Sequence, residues 1–412
     1  MSEDPTIQRL LQVHTRYRLA GGEDEVVEAE KLLLEGAGVD VHQVIFDNAD
    51  LRESQSLAGD LHLAAAAIWS RTAERRVNAA ILAYRPQVMH VHNTFPAASP
   101  SVYAAAAAHG VPVIQTLHNY RFVCPVATLF RDGRVCTDCV GRVVPWPAVV
   151  HACVRGSRPQ SAVAAATLAV HRIRGTFSRD IRGYVALTSF QRRLMIDGGL
   201  PAERIRVIPN FLEPDPGVGI GNRDGFVFVG RLSPEKGIAV LLDAARILPG
   251  VVRVVGGGPL ASEGEEADAT GRIAYVGSVT RSSVLDELRR AIALVLPSVW
   301  FEGFPLVLLE ALASGTPVIT TRLGSLAELI EEGMTGLIAE PNDAANLADK
   351  IQWAINHPDE MRSMGVTARR TYEARFSGQS HLAALREAYA YVQDGERLHA
   401  GEGIDRPGDG PT

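Results

Sequence analysis

The chain has 412 residues, a formal net charge of -6, 46% hydrophobic residues and 21% charged residues. This balance is typical of a folded enzyme with two domains, and the acidic charge excludes a general nucleic-acid binder. No apolar run of about 18 residues is present to span a membrane, and the polar, acidic N-terminus does not resemble a signal peptide. We therefore expect a cytoplasmic enzyme.

Short apolar runs alternate with helical patterns along the first half, which predicts an α/β domain around a parallel sheet. The predicted strands are 10–14, 39–45, 88–92, 111–117, 184–187 and 205–208, and the predicted helices are 23–35, 57–84 and 101–109. Gly21 and Gly22 separate the first strand from the first helix. Glycines there let a ligand approach the backbone, and a helix start favours phosphate. A plain turn is the alternative.

His118 directly follows the strand at 111–117, at a position that faces a cleft in this architecture. A histidine there can bond a sugar hydroxyl or assist a proton transfer, whereas a structural histidine is the alternative. His90 and His92 alternate along the preceding strand and point to one face, so at least one of them could serve packing only.

All four cysteines fall in one stretch, which we interpret as an insert at about 119–158. Disulfides are rare in cytoplasmic proteins, so the more specific hypothesis for these cysteines is a structural zinc site. Reduced, packed thiols are the alternative, since the spacing lacks a second Cys-x2-Cys pair. The four candidate ligands are Cys124, Cys136, Cys139 and Cys153.

Six arginines lie among apolar residues between 171 and 193. A solvated basic face is the plainer interpretation of this pattern. The sharper one is a surface for anionic lipid or a polyprenyl-phosphate acceptor, with peripheral contact at the inner face of the membrane.

Proline, glycine and acidic residues from 209 to 217 predict a linker, and a second set of strands follows it. These are 226–229, 251–255, 273–276, 293–296 and 317–320. Two successive parallel sheets predict two facing Rossmann-like domains, 1–209 and 210–380, with a cleft between the carboxyl ends of their strands. A last helix at about 381–393 is expected to cross back to the first domain, and 394–412 to be a disordered tail.

The turn after the strand 226–229 carries Gly230, Arg231 and Lys236. Two cations five residues apart at a strand's carboxyl end suit a diphosphate, because each charge-assisted bond contributes about 1.5–3 kcal/mol. An ordinary surface turn is the alternative.

Glu302 and Glu310 flank the start of an apolar helical run, eight positions apart. A helix start offers free amide groups and a positive dipole end, which suits phosphate. Carboxylates accept paired hydrogen bonds from vicinal hydroxyls. The combination predicts a site for a nucleotide sugar. The chain has no Asp-x-Asp pair, so a metal-bridged diphosphate is not indicated.

Together these residues resemble the retaining GT-B glycosyltransferases of family 4, over nearly the whole chain. The most specific part is Glu302-x7-Glu310 with Gly303, Phe304 and Pro305, alongside Arg231 and Lys236. The cysteine-rich insert resembles a bacterial subgroup associated with surface-polysaccharide assembly.

The resemblance implies a role for each matching residue. Arg231 and Lys236 would bind the donor diphosphate, Glu302 the donor sugar and Glu310 the ribose. The backbone amides of Leu306 and Val307 would meet the phosphates. Gly22 would approach the diphosphate, and His118 would contact the sugar.

The expected activity is metal-independent transfer of a sugar, with retention, from a nucleotide-diphosphate sugar to a sugar or lipid-linked acceptor. No cofactor is expected beyond the structural zinc. Two alternatives stay open, a nucleotide-sugar epimerase or hydrolase on the same architecture and a non-catalytic sugar-nucleotide-binding protein.

Overall fold

The structure, a computed structural model, describes residues 7–17, 21–50, 56–219 and 221–401. Two parallel six-stranded sheets form within these ranges, one on each side of the predicted linker. None of the helices in these ranges has the length and apolar character needed to cross a membrane.

The first sheet has the strand order β2-β1-β3-β4-β7-β8, so the chain starts near one edge and later crosses to the other. The strands before the linker, including a two-stranded hairpin from β5 and β6, are β1 (Arg9–Arg16), β2 (Asp40–Asp47), β3 (Val88–Val91), β4 (Val113–Leu117), β5 (Phe130–Arg131), β6 (Arg134–Val135), β7 (Gly183–Ala186) and β8 (Ile205–Val207).

Helices cover both faces of this sheet, which explains why its central strands are buried throughout. β3, β4 and β7 are buried at every position. The helices of this half are α1 (Gly22–Gly36), α2 (Leu57–Ile68), α3 (Arg71–Tyr84), α4 (Ser101–Ala108), α5 (Pro147–Val150), α6 (Arg158–Ile173) and α7 (Ser189–Asp197).

The prediction of a single helix at 57–84 is wrong, because two separate helices, α2 and α3, occupy this range. Ser70 is the N-cap of α3, and its Oγ accepts a hydrogen bond from Ala73 N at 3.2 Å. Its own backbone N–H donates to Ser99 Oγ at 2.9 Å. A serine that caps a new helix and is held by a neighbouring loop outweighs the continuous helical pattern around it.

The predicted zinc site is not assembled in the insert. All four cysteines lie in the described ranges and carry free thiols, yet no three of their sulfur atoms lie within 4.8 Å of one another. Tetrahedral zinc–thiolate geometry requires sulfur separations of about 3.8 Å. Burial raises the pKa of Cys139 to about 11. The structure therefore gives the zinc site no support, and packed thiols stay the alternative.

The arginines at 171–193 contact other parts of the protein and do not form a free basic face. Arg172 donates to Phe122 O at 2.6 Å, and Arg192 donates to Ile205 O at 3.0 Å. The Arg174 guanidinium lies 4.8 Å above the Trp69 ring. These contacts attach the insert and neighbouring loops to the sheet, so the segment itself gives little support to the predicted lipid surface.

The second sheet has the strand order β11-β10-β9-β12-β13-β14. Its strands are β9 (Phe226–Val229), β10 (Val252–Val255), β11 (Ala274–Gly277), β12 (Ala293–Leu296), β13 (Val318–Thr321) and β14 (Gly336–Ala339). β14 was missed by the sequence analysis. It begins at Gly336, whose added Cβ would lie 1.9 Å from Val318 O, so only glycine permits this strand pairing.

The helices of the second half include one that returns to the first sheet. They are α8 (Ile238–Ile247), α9 (Ala261–Ala269), α10 (Arg281–Arg290), α11 (Leu306–Ala313), α12 (Gly324–Leu329), α13 (Ala344–Asn356), α14 (Pro358–Arg375) and α15 (Gly378–Gly401). α15 packs on β4 and β7, through Leu385, Ala388, Tyr389 and Val392. It continues as helix into the predicted tail, of which 402–412 lie outside the described residues.

Candidate active site

A cleft of about 620 Å³ lies between the carboxyl ends of the two sheets. This is where ligands bind in open parallel sheets. Every site residue predicted outside the cysteine insert lines it, namely Gly22, His118, Gly230, Arg231, Lys236, Glu302, Gly303, Phe304, Pro305, Leu306, Val307 and Glu310.

The loop after β9 places Lys236 beside the loop after β12. A short 3-10 turn at Pro234–Lys236 leads into Gly237, which has φ of 71°. A Cβ on Gly237 would lie 1.8 Å from Pro297 O. Both the left-handed conformation and this approach require glycine, and the two loops can therefore pack against each other.

Lys236 forms an ion pair with Glu302, at 2.8 and 3.0 Å from its two carboxylate oxygens. Ser298 Oγ donates to the same carboxylate at 2.7 Å. Burial by itself would raise the pKa of Glu302, but Lys236 and the hydrogen bonds outweigh it and hold the pKa below its usual range. Lys236 therefore neutralises the buried carboxylate in the empty cleft, and its predicted contact with the donor diphosphate stays a prediction.

Arg231 is the predicted cation that stays available. It is exposed at the cleft, and the described part of the chain provides it with no ion-pair or hydrogen-bond partner. An unpaired guanidinium at a strand's carboxyl end is suited to bind phosphate oxygens in a bidentate manner.

Glu310 has its own cation, Arg281, which the sequence analysis missed. Arg281 Nε lies 3.1 Å from Glu310 Oε1, and its Nη1 lies 3.0 Å from Glu25 Oε2 in α1. Burial raises the pKa of Glu310, and Arg281 offsets this only in part. Arg281 is the first residue of α10, directly after the N-cap Thr280. A basic residue at a helix start that follows a strand could have identified it from the sequence.

The start of α11 faces the cleft. Pro305 is its N-cap, with the extended conformation φ -72° and ψ 122°. The first amides of a helix, here those of Leu306 and Val307, have no partner within the helix and carry the positive end of its dipole. Gly22 lies opposite, since its added Cβ would be 3.1 Å from Leu306 Cδ1.

The two halves touch at the same place. Tyr120, in the insert, donates its hydroxyl to Glu302 O at 2.9 Å. A Cβ on Gly303 would lie 2.8 Å from His118 O. These contacts put His118 directly opposite the Glu302 loop.

His118 is neutral in this position. Its Nε2 lies 2.9 Å from His92 Nδ1, and burial lowers its pKa well below the usual value, with further lowering by His92. The alternation of His90 and His92 predicts that both side chains point to the same face of the sheet, and both contact Glu30 on that face.

Glu23 is a second residue that the sequence analysis did not select, although the Gly-Gly-Glu turn contained it. It lines the cleft beside Gly22. Its Oε1 is buried without a hydrogen-bond partner, and burial raises its pKa to about 8. Glu23 is therefore a protonated carboxylic acid at neutral pH.

Family models match both halves of the chain. Residues 18–210 match the glycosyl transferase 4-like domain, and residues 218–371 match glycosyl transferases group 1. Solved structures with the same arrangement include a glycosyltransferase from Rickettsia africae, with a TM-score of 0.65, 17% identity and coverage of 94% of this chain and 98% of that one. The chain has the GT-B glycosyltransferase fold.

Further similarity to GT-B proteins is found in structure and in sequence. The Anabaena protein HepE in complex with UDP-glucose gives a TM-score of 0.62 and 18% identity, and covers 95% of this chain and 99% of that one. An uncharacterized glycosyltransferase of Methanocaldococcus jannaschii is 30% identical over 171 residues, which are 41% of this chain and 48% of that protein. The chain thus spans about half the length of the curated relatives that it matches.

Proposed function

We propose that this chain is a glycosyltransferase that transfers a sugar from a nucleotide-diphosphate sugar to an acceptor hydroxyl. One observation carries the proposal: the free guanidinium of Arg231 and the amide end of α11 share one cleft with the Lys236–Glu302 pair. His118 lies on the opposite wall. Arg231 and the amides supply the positive charge for a diphosphate, and the Lys236–Glu302 pair supplies polar groups for sugar hydroxyls.

The finer proposal is a family 4 enzyme that works with retention and without a metal. The bond between the anomeric carbon and the leaving phosphate oxygen breaks, and the acceptor oxygen bonds to that carbon on the same face. The acceptor proton passes to the leaving diphosphate. Arg231 and the amides of Leu306 and Val307 stabilise the developing phosphate charge, and no covalent nucleophile is assigned.

The proposed biological role is the assembly of a cell-surface polysaccharide or glycoconjugate, on a sugar or lipid-linked acceptor. Apolar side chains on the insert support the lipid-linked form, since Val143 and Trp146 are 56% and 52% exposed. The Arg142 guanidinium lies 5.3 Å from the Trp146 ring. An exposed tryptophan beside a cation suits a membrane interface.

The donor assignment is tested by calorimetry with UDP-glucose first, since a protein of this fold binds it, and then with guanosine and adenosine sugar nucleotides. Arg231→Ala is expected to weaken binding of the preferred donor about 10- to 100-fold, because a charge-assisted phosphate contact is lost. Arg246→Ala is the matched control, because Arg246 is exposed on α8 and pairs only with Asp243. Equal affinity of the wild type and Arg231→Ala would refute the diphosphate site.

Product analysis with paired soluble and lipid-linked acceptors separates the remaining alternatives. A new glycoside supports transfer, and its anomeric configuration reports retention. A free epimer or free sugar, formed without acceptor, would instead identify an epimerase or hydrolase. Tight donor binding without turnover across the acceptor series would favour a non-catalytic binding protein.

A further inference from the structure

A buried chain of hydrogen bonds connects β1 with His118. Gln12 in β1 contacts His92 at the end of β3, with 3.2 Å between Gln12 Nε2 and His92 Nε2. His92 Nδ1 then contacts His118 Nε2 at 2.9 Å. Gln12 and His92 are buried, at 0% and 3% exposure, so water does not compete for these contacts.

The surrounding oxygens determine how the Gln12 amide is oriented. Its nitrogen lies 3.3 Å from Val27 O and 3.5 Å from Glu30 Oε1. Neither oxygen offers a hydrogen, because one is a carbonyl and the other a carboxylate oxygen that His90 Nδ1 also faces at 3.0 Å. Gln12 Oε1 in turn accepts from Gln43 Nε2 at 2.7 Å. A flipped amide would place oxygen against oxygen, so the nitrogen faces His92.

The amide nitrogen determines the tautomer of His92. A hydrogen on His92 Nε2 would face the NH2 group of Gln12, so this nitrogen carries the lone pair and accepts. The competing acceptor for such a hydrogen is Glu30 Oε1 at 3.3 Å. His90 Nδ1 at 3.0 Å and Gln12 Nε2 at 3.5 Å already face the two lone pairs of that oxygen. The single hydrogen of the neutral imidazole therefore lies on Nδ1, where it donates to His118.

We propose that Gln12 and His92 are positioning residues that hold His118 in its Nδ1–H tautomer. His118 Nε2 accepts the hydrogen bond from His92, and its Nδ1–H is left as the donor for a ligand oxygen in the cleft. His118 then acts on the sugar as a neutral hydrogen-bond donor and does not take the acceptor proton. The effect on turnover rests on the proposed transferase function, whereas the tautomer does not.

A metal ion is the competing explanation for part of this cluster, because ligand atoms of Glu30, His90 and His92 lie within 4.8 Å of one another. The surrounding groups do not fit one. The Gln12 amide nitrogen, which is a poor ligand, occupies the direction of the His92 Nε2 lone pair. The His90 nitrogen that faces Glu30 is also 2.8 Å from Tyr389 Oη. Hydrogen bonds therefore already account for these atoms.

The tautomer is measured directly by nitrogen NMR of protein labelled with 15N-histidine, because protonated and bare imidazole nitrogens resonate far apart. The spectrum of His118→Asn assigns the His118 signals. We expect a protonated Nδ1 and a bare Nε2, and we expect Gln12→Leu to shift His118 towards the opposite tautomer. His109→Asn, at an exposed histidine bound to Asn78, is the control that leaves the His118 signals in place. A protonated Nε2 on wild-type His118 would overturn the proposal.

Kinetics with the identified donor and acceptor test how the tautomer of His118 affects turnover. His92→Phe removes the donor to His118 and is expected to lower kcat by about tenfold, with a smaller change in donor KM. His92→Asn keeps an amide N–H near the Nδ1 position and is expected to restore most of the loss. Thermal unfolding shows whether each variant is folded.

The possible outcomes distinguish the positioning role of Gln12 and His92 from the proposed transferase function. Equal losses in His92→Asn and His92→Phe, both folded, would count against positioning through hydrogen bonds. One equivalent of bound metal that is lost in Glu30→Gln would also overturn the hydrogen-bond assignment. If His118→Asn turns over like the wild type, the role of His118 in transfer fails, and the NMR result still decides the tautomer.

Discussion

At the residue scale, the cleft contains acids in different protonation states. Glu302 is ionised because Lys236 is 2.8 Å away. Glu23 is protonated because burial raises its pKa to about 8, which hydrogen bonds from Tyr17 and Asn119 and the charge of Arg121 offset only in part. His14 Nδ1 lies 4.0 Å from Glu23 but is neutral at pH 7, since burial lowers its pKa below the usual 6.5. The difference shows that a direct ion pair decides the charge of a buried carboxyl group.

The pKa of about 8 for Glu23, against 4.5 when exposed, predicts a pH-dependent stability. The folded state binds a proton that the unfolded state releases between these values, so stability is full below about pH 4.5 and falls as pH rises through about 8. Glu23→Gln cannot lose this proton. Its free energy of unfolding in urea should equal that of the wild type near pH 5 and exceed it by a few kcal/mol near pH 9.

Glu28→Gln is the matched control for this prediction, because Glu28 lies on the same helix with its side chain 49% exposed. It should follow the wild-type pH profile. Parallel profiles for Glu23→Gln and the wild type would show that Glu23 is ionised in the folded protein.

At the element scale, two glycines govern how closely the loops of the two halves approach. Gly22 opens α1, and Gly303 lies in the loop that leads to α11. An added Cβ at Gly22 would meet the tip of the Leu306 side chain at 3.1 Å, which can rotate away. An added Cβ at Gly303 would meet the backbone carbonyl of His118 at 2.8 Å, which cannot.

Gly303→Ala should therefore displace the Glu302 loop from His118, whereas Gly22→Ala should leave that loop in place. We expect at least a tenfold loss of donor affinity or turnover for Gly303→Ala, about 1.4 kcal/mol, and a smaller loss for Gly22→Ala. Calorimetry and initial rates on the two folded variants provide the measurement. Similar effects at both glycines would mean that the His118 contact does not limit the approach.

At the scale of the whole molecule, α15 joins the end of the second half to the core of the first. Tyr389 is 2% exposed and bonds His90 at 2.8 Å, and His381 Nε2 lies 3.4 Å from Glu30 Oε2. The same buried cluster that contacts His92 is thus closed by side chains from the C-terminal helix.

Tyr389→Ala should destabilise the first domain by about 3–5 kcal/mol, because a large buried side chain and a buried hydrogen bond are lost. Hydrogen exchange should report reduced protection in β3, β4 and β7 and unchanged protection in β12. Tyr391→Ala, two residues along the same helix and 37% exposed, should cost less than about 1 kcal/mol. Uniform loss of protection in both sheets would instead show that the two halves unfold as one unit.

Much of the fold could be predicted because parallel strands give short apolar runs. The main errors have local causes: Ser70 starts a new helix within a continuous helical pattern, and β14 begins at Gly336, a residue type that weakens a strand pattern. The cysteine spacing suggested zinc, but no three of the four sulfur atoms lie within 4.8 Å of one another, and spacing along the chain does not determine distances in space.

The sequence by itself determined that the predicted loop motifs line the cleft. Residues that follow parallel strands meet at one edge of each sheet, so loop motifs can be assigned to that edge without coordinates. Only the tertiary structure decided how the charges pair there. Lys236 neutralises Glu302, Arg281 pairs with Glu310, and the side chain of Arg231 has no partner among the residues that the structure describes. The physical reason is that ion pairs depend on approaches of a few ångströms between distant segments, such as that of Gly237 to Pro297.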